Sequence, residues 1–361
     1  MGNGAQRRAV RIGDVAAAAG VSRTTASDAL NGTGRVSAET RAHVEATAAR
    51  LGFRANHYAR MLRGARSRIL GFVNSMTAAT GNRAGSADRS PTEADGAIDT
   101  VELEGAEYFT ALLTSTSTAA LSRGYGVILL PPSPDASPFN LMIADGIMLH
   151  DPVAGSALAA EFENRGVPLV TTGRRLDHDR GKTTWVDSDI AEAAERVLEH
   201  MYSQGARRFA LVSNPPIRSY TTDTIEAYER WAGRHGLESE IVYTDARASE
   251  GAAYDATRGL FTGARSPDAI FAPVDRLAIG SMHAAREHGF AVPADILIAA
   301  GSDGARARAA DPPITAVEHD TDLIGHRAVD LLIDRVENRF NGPEQVVVPA
   351  TLKVRESTER T

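Results

Sequence analysis

The 361-residue sequence has no cysteine, which excludes disulfides, thiolate metal sites and a cysteine nucleophile. Long apolar runs are missing too, since none approaches the roughly 18 residues of a membrane span. The opening MGNGAQRRAVRIGDVA carries arginines but lacks the apolar stretch of a secretory signal, so a cytoplasmic location is expected. Enzyme signatures are scarce: there is no P-loop, no G-x-S-x-G elbow and no G-x-G-x-x-G after a strand. The GSDG at 301–304 lacks a glycine two residues before its serine. The ten histidines are scattered without an H-x-x-x-H pair, and His200, His283 and His288 read as helix-surface residues. We therefore expect neither catalysis nor a metal nor a cofactor.

What is present is an ordinary globular composition, 43% apolar and 24% charged, with length for two or three domains. The net charge of −7 hides a division: residues 1–68 carry +8, and the remainder −15. A basic head on an acidic body implies that the head alone meets a polyanion.

Residues 12–31, IGDVAAAAGVSRTTASDALN, read as two short helices joined by a tight turn. Ile12, Val15, Ala16 and Ala19 recur at helical spacing, and Gly20 suits a left-handed C-terminal position. Ser22 can cap the second helix, while Ala16 and Ala26 permit close crossing; together these are the requirements of a helix-turn-helix. A third helix is expected from Ser37 as N-cap, with Val44, Ala48 and Leu51 as its apolar stripe. Gly52 would end it, and Phe53 would plug the small core. Residues 56–63, NHYARMLR, are a candidate short helix capped by Asn56, too short to stand alone in water; the other reading is a basic linker.

From residue 69 onward, short apolar runs alternate with amphipathic stretches. ILGFV (69–73), GVILL (126–130), DGIMLH (145–150), PLVTT (168–172), RFALVS (208–213), DAIFAP (268–273) and DILIAA (295–300) predict buried parallel strands. Helices are expected over 106–123, 189–203, 222–235, 275–288 and 320–340. Such alternation predicts doubly wound α/β sheets, and its length predicts two lobes. The polar stretch 75–104 is either a lid or a disordered loop.

IGDVAAAAGVSRTTASDALNGTGRVSAETRAHV followed by LGFRANHYARMLRG resembles the DNA-binding end of the lactose-repressor (LacI/GalR) family. The likeness continues through stretches such as DGIMLHDP, WVDSDIAEAAERVLEHM, PPITAVEHD and LKVRES. It implies an all-α helix-turn-helix domain (1–55), a hinge helix and linker (56–68), and a two-lobed α/β body similar to periplasmic binding proteins (69–361). The lobes are expected at 69–187 plus 313–342 and at 188–312 plus 343–361, with crossovers near 187–189, 312 and 343. The implied function is a homodimeric transcription regulator, a repressor by analogy, bound to an inverted-repeat operator in double-stranded DNA and controlled by a small-molecule effector. The competing readings are a soluble binding protein without sequence-specific DNA recognition and an α/β enzyme.

Carried over by position, Arg23, Thr24 and Asp28 would read bases, while Ser22, Thr25, Ser27, Asn31 and Arg35 would hold phosphates or brace the fold. A carboxylate repels phosphates, so Asp28 either accepts a bond from cytosine or orients Arg23 or Arg35. In the hinge, Leu62 matches a minor-groove wedge with Ala59 on the same face, and Arg60 and Arg63 would face phosphates. Ala55 stands where relatives usually have proline. For the effector, the resemblance points to Tyr108, Phe109 and Asp303, and to Asp275 either as a ligand contact or as a helix N-cap. Relatives commonly place arginine in the stretch matching TTDTIEAY; none is present, and Arg218 is the nearest substitute.

Overall fold

The computed structural model describes residues 10–31, 34–51, 53, 66–75, 106–130, 144–178, 181–244, 249–262, 265–340 and 342–360. The hinge positions Asn56, Ala59, Arg60, Leu62 and Arg63, Gly52 and the 76–104 stretch lie outside them. The chain forms two compact units, Met1–Ser67 and Arg68–Thr361.

In the first unit, α1 (Ile12–Ala18), α2 (Arg23–Asn31) and α3 (Ala38–Leu51) pack around Val15, Ala26, Ala29 and Val44, all essentially inaccessible. The local chemistry follows the sequence. Gly20 turns with φ +65°, and Ser22 Oγ accepts the Thr25 amide at 3.0 Å. Ser37 Oγ does the same for Thr40 at 3.1 Å, and Phe53 packs back on this core.

The second unit begins with β1 (Ile69–Asn74), α4 (Ala106–Ser122), β2 (Gly126–Leu130), β3 (Gly146–His150), α5 (Ala157–Asn164), β4 (Leu169–Thr172) and β5 (Trp185–Ser188). It continues with α6 (Ile190–Ser203), β6 (Phe209–Ser213), α7 (Ser219–His235), β7 (Glu240–Tyr243), α8 (Glu250–Thr257), β8 (Ala269–Ala272), α9 (Asp275–Glu287), β9 (Leu297–Ala300), α10 (Ala305–Ala309) and β10 (Thr315–His319). The last elements are α11 (Thr321–Val336), β11 (Gln345–Val348) and β12 (Ala350–Lys353).

Two six-stranded sheets result, ordered β2-β1-β3-β4-β5-β11 and β7-β6-β8-β9-β10-β12. All pairings are parallel except β10 with β12. Helices cover both faces of each sheet, which explains why β3, β6, β8 and β9 are buried at every position. In the first lobe, α4 and α11 enclose one apolar core and α5 the other. In the second, α6 and α7 cover one face while α8 and α9 cover the other. The α8–α9 crossing is so close that a Cβ on Gly280 would stand 2.1 Å from the Glu250 carbonyl oxygen.

The chain crosses between lobes three times, each time through one residue: Asp189, Asp320 and Pro349. Asp189 and Asp320 also cap the helices they enter, accepting the amides of Glu192 at 3.1 Å and Leu323 at 2.8 Å. The expected crossover at 312 is therefore corrected to 320, because residues 315–319 pair with β9 before the chain leaves. The one expected at 343 is corrected to 349, because 345–348 complete the first sheet beside β5.

Candidate functional site

Both sheets are wound so that their strand order reverses, between β1 and β3 and between β6 and β8. Crevices form beyond the carboxyl ends of strands at such points. Between the lobes lies a cavity of about 440 Å³, walled by residues that follow β3, β4, β5, β8, β9 and β10. Its apolar floor includes Val186, Ile190, Phe271 and Val317, and Tyr108 and Tyr220 supply aromatic surface.

On the first-lobe side, β3 ends in His150 and Asp151 follows it. His150 stacks on Tyr108 at 5.7 Å between centroids, and its Nδ1 lies 2.9 Å from Thr172 Oγ1. Burial, reinforced by the nearby Arg218 guanidinium, pulls this imidazole down to about 3, so it is neutral. Burial pushes the Asp151 carboxyl up to about 6 against the opposing pull of Arg218. Asp187, the third residue of β5, is pushed up to about 7 by burial first and then by the Asp151 charge. Its oxygens accept the Ser219 hydroxyl at 3.0 Å, the Arg174 amide at 3.3 Å and the Ser188 amide at 2.9 Å. Burial and these two carboxylates also hold the Tyr108 hydroxyl protonated.

On the second-lobe side, Asp303 is held by Arg355 at 2.8 Å through Oδ2, while its buried Oδ1 has no partner. His319, kept neutral by burial, donates from Nε2 to the Gly301 carbonyl at 2.8 Å; its Nδ1 therefore accepts the Ser188 hydroxyl at 2.9 Å. Salt links join the lobes at the cleft margins. Arg174 pairs with Asp223, and Arg218 donates to the Asp151 carbonyl and lies 3.4 Å from its carboxylate. Elsewhere Arg308 pairs with Glu107, which also accepts the Ala305 amide at 2.5 Å. The lobes are thus drawn together over the cavity.

Of the expected effector residues, Tyr108, Asp275 and Asp303 line this cavity. Phe109 does not: its ring packs edge-on against Phe72 at 5.6 Å inside the first lobe, because adjacent helical positions face different ways. Arg218 stands buried in the wall, spent on Asp151 and the Ser75 carbonyl rather than on the cavity. Asp275 is not an N-cap; Val274 holds that position, and the Asp275 carboxylate accepts the Arg276 amide at 2.9 Å. Sequence reasoning missed His150, Asp151, Asp187, Ser188, Tyr220 and His319. A signal existed, since four of them sit at the carboxyl ends of β3, β5 and β10 and Asp151 directly follows β3.

In the first unit, Arg23 and Thr24 are exposed on the first turn of α2, and Arg35 is exposed before α3. Ser22 is occupied in capping, and Thr25, Ser27 and Asp28 are half-buried. The Asp28 carboxylate lies over Gly34, 2.6 Å from where a Cβ would stand. It is turned toward the loop before α3. The side chain of Asn31 is outside the described structure.

A helix-turn-helix unit joined to a body that encloses a small-molecule cavity between two doubly wound lobes defines a ligand-responsive DNA-binding regulator. Residues 11–56 match the description "Bacterial regulatory proteins, lacI family", and residues 198–358 match "Periplasmic binding protein-like domain". The HTH-type transcriptional regulator CelR of Thermobifida fusca is 26% identical, the alignment covering 98% of this chain and 99% of that protein. The lactose operon repressor of Escherichia coli K12 is also 26% identical, covering 97% and 91% respectively. Among solved structures, a lac repressor dimer bound to operator and an anti-inducer superposes with TM-score 0.76 at 21% identity, over 97% of this chain and 99% of that one. A CelR–cellobiose complex does so with TM-score 0.68 at 24% identity, over 96% and 99%. The chain thus carries a lacI-type regulatory domain at its head and a periplasmic-binding-protein-like domain in its body. It is a DNA-binding transcription regulator with an effector-binding body, and the relatives named here are regulators as well. No helix among the described residues is long and apolar enough to cross a membrane.

Proposed function

We propose that the chain is a cytoplasmic, non-enzymatic repressor that binds an inverted-repeat operator as a homodimer and responds to a small molecule held between its lobes. The observation that carries this reading is the cavity of about 440 Å³ bridged by salt links from both lobes, in a chain whose other unit exposes a recognition helix. Residues 1–55 serve as the DNA reader, 56–68 as the hinge, and 69–361 as sensor and dimer body. Arg23 and Thr24 read base edges from the major groove, with Ser22, Thr25, Ser27, Asn31 and Arg35 bracing the helix or meeting phosphates. Asp28 orients the loop that carries Arg35 rather than reading a base. Asn56, Ala59, Arg60, Leu62 and Arg63 form the hinge helix that enters the minor groove on pairing. Tyr108, Asp275 and Asp303 contact the effector.

Leu121 on α4 and Leu129 on the edge strand β2 of the first lobe are 68% and 55% exposed, and Tyr243 is 51% exposed on the edge strand β7 of the second. Two subunits meeting along these edges would bury apolar surface that is otherwise wet, and would set two heads at fixed spacing. Effector binding biases lobe closure, closure biases hinge pairing, and hinge pairing biases DNA affinity.

Selection of DNA from a random duplex library by the full-length protein, with and without metabolite extract, tests the reading. Enrichment of an inverted repeat in either arm is expected. Failure to enrich any sequence in both arms would overturn it.

A further inference from the structure

Among the described residues, most charged groups around the cavity have an oppositely charged partner. Glu107 is matched by Arg308, Asp151 by Arg218, Asp303 by Arg355, and Glu318 by Lys353. Arg306 is committed to Glu250, and Asp275 has Arg276 as its immediate neighbour. Asp187 receives only neutral donors: a serine hydroxyl and two backbone amides. Among the described residues no guanidinium or ammonium comes within 4.0 Å of it. The face of α7 toward the cavity does not supply a cation either, presenting Ser219, Tyr220 and Thr224. A second, independent feature points the same way. The Asp303 side chain, only 7% exposed, lines the same cavity, and its Oδ1 has no hydrogen-bond partner.

We propose that the effector is an organic ammonium, a small molecule whose protonated amine donates to Asp187 beside the aromatic faces of Tyr108 and Tyr220, with Asp303 Oδ1 accepting a further donor. This rests on the reading of the cleft as the effector site. A neutral polyol would leave the Asp187 charge uncompensated in a desolvated cleft, and an anion would add to it. An ammonium supplies the missing charge and several donors, and its positive face suits aromatic rings.

The groups facing Asp187 are His150 and Asp151 at the end of β3, Arg174 after β4, Arg218 just before α7, Asp223 from α7, and Tyr108 from α4. Burial and the Asp151 charge hold the Asp187 carboxyl near 7, so the empty cleft carries a proton there for part of the time at neutral pH. A cation must displace that proton. Its affinity therefore rises with pH up to about 7 and levels off above, whereas a neutral ligand gains nothing from the ionisation.

The test is calorimetric titration of the full-length protein with two matched pairs, glucamine against glucitol and cyclohexylamine against cyclohexanol, together with cellobiose. At pH 7.5 the amine of a pair should bind at least about tenfold tighter than its hydroxyl partner, and lose about tenfold per pH unit below 7. Asp187→Asn should abolish the preference; the pH series on the unaltered chain decides the matter should that variant fold poorly. Equal affinities within both pairs, or a flat pH profile, overturn the proposal. Binding by neutral probes alone, lost in Asp303→Asn, overturns the ammonium and leaves the cleft reading standing. If no probe binds and none changes operator affinity, both fall.

Discussion

The Arg174–Asp223 pair joins the lobes with only 8% and 15% of its side chains exposed, and Arg174 Nε has no partner at all. Asp223→Ala would strand a guanidinium in the closed cleft. Orphaning one member of a buried pair costs about 3–5 kcal/mol. When the lobes part, water reaches Arg174 and the cost disappears, so the loss falls on closure rather than on folding. Taking about 3 kcal/mol, and about 1.4 kcal/mol per factor of ten, the closed population falls about 100-fold relative to the open. The absence of native cysteine permits clean labelling. Fluorophores on cysteines introduced at the exposed Asn164 on α5 and Glu226 on α7 place one reporter on each lobe, and single-molecule transfer distances give the populations directly. The variant should shift to the open distance with little change in melting temperature. Arg174→Ala combined with Asp223→Ala should recover much of the closed state, since no charge is then stranded. An unchanged distance distribution in Asp223→Ala, or a double variant as open as the single, would refute the reasoning.

Other outcomes are expected on the same grounds. The native Asp187 pKa of about 7 lies above its unfolded value, so the group costs stability above pH 7 and the cost fades as pH falls toward 4. Asp187→Asn should therefore raise the melting temperature more at pH 8 than at pH 5, and an equal difference at both would count against a raised carboxyl. Gly280→Ala forces a Cβ to 2.1 Å from a carbonyl and should cost about 3 kcal/mol, visible as a melting temperature lower by several degrees. Arg23→Ala should relax one half-site position by about 1–3 kcal/mol in library selection and leave the others unaltered. Leu62→Ala should sharply weaken specific binding while the salt-sensitive attraction of the basic head persists; equal loss of both would remove the wedge role.

The fold was legible where the sequence pattern is strong. ILGFV, GVILL, DGIMLH and DILIAA are long enough apolar runs to announce buried strands, and Gly20, Ser22 and Ser37 mark helix ends by chemistry that is wholly local. Strands β5, β7, β10, β11 and β12 escaped because they are short and only partly buried or mixed in polarity. The site was harder to read for a different reason. Tyr108 and Phe109 are neighbours of similar chemistry, and only tertiary packing sends one to the cavity and the other to Phe72. Asp187 belongs to a stretch, WVDSD, that reads as a plain strand-to-helix junction. Its meaning depends on which charges fold near it, and those arrive from α7 and β3, which are distant in sequence.

Because the chain passes between lobes at Asp189, Asp320 and Pro349, neither lobe is a continuous piece of sequence. The first lobe lacks a core helix until α11 has emerged from the ribosome, and lacks an edge strand until β11 follows. The head, whose three helices are contiguous, has no such delay. A nascent chain can therefore carry a finished DNA reader on a body that cannot yet sense anything. Truncations before residue 345 should leave that body unsealed, whichever lobe the cut was meant to spare.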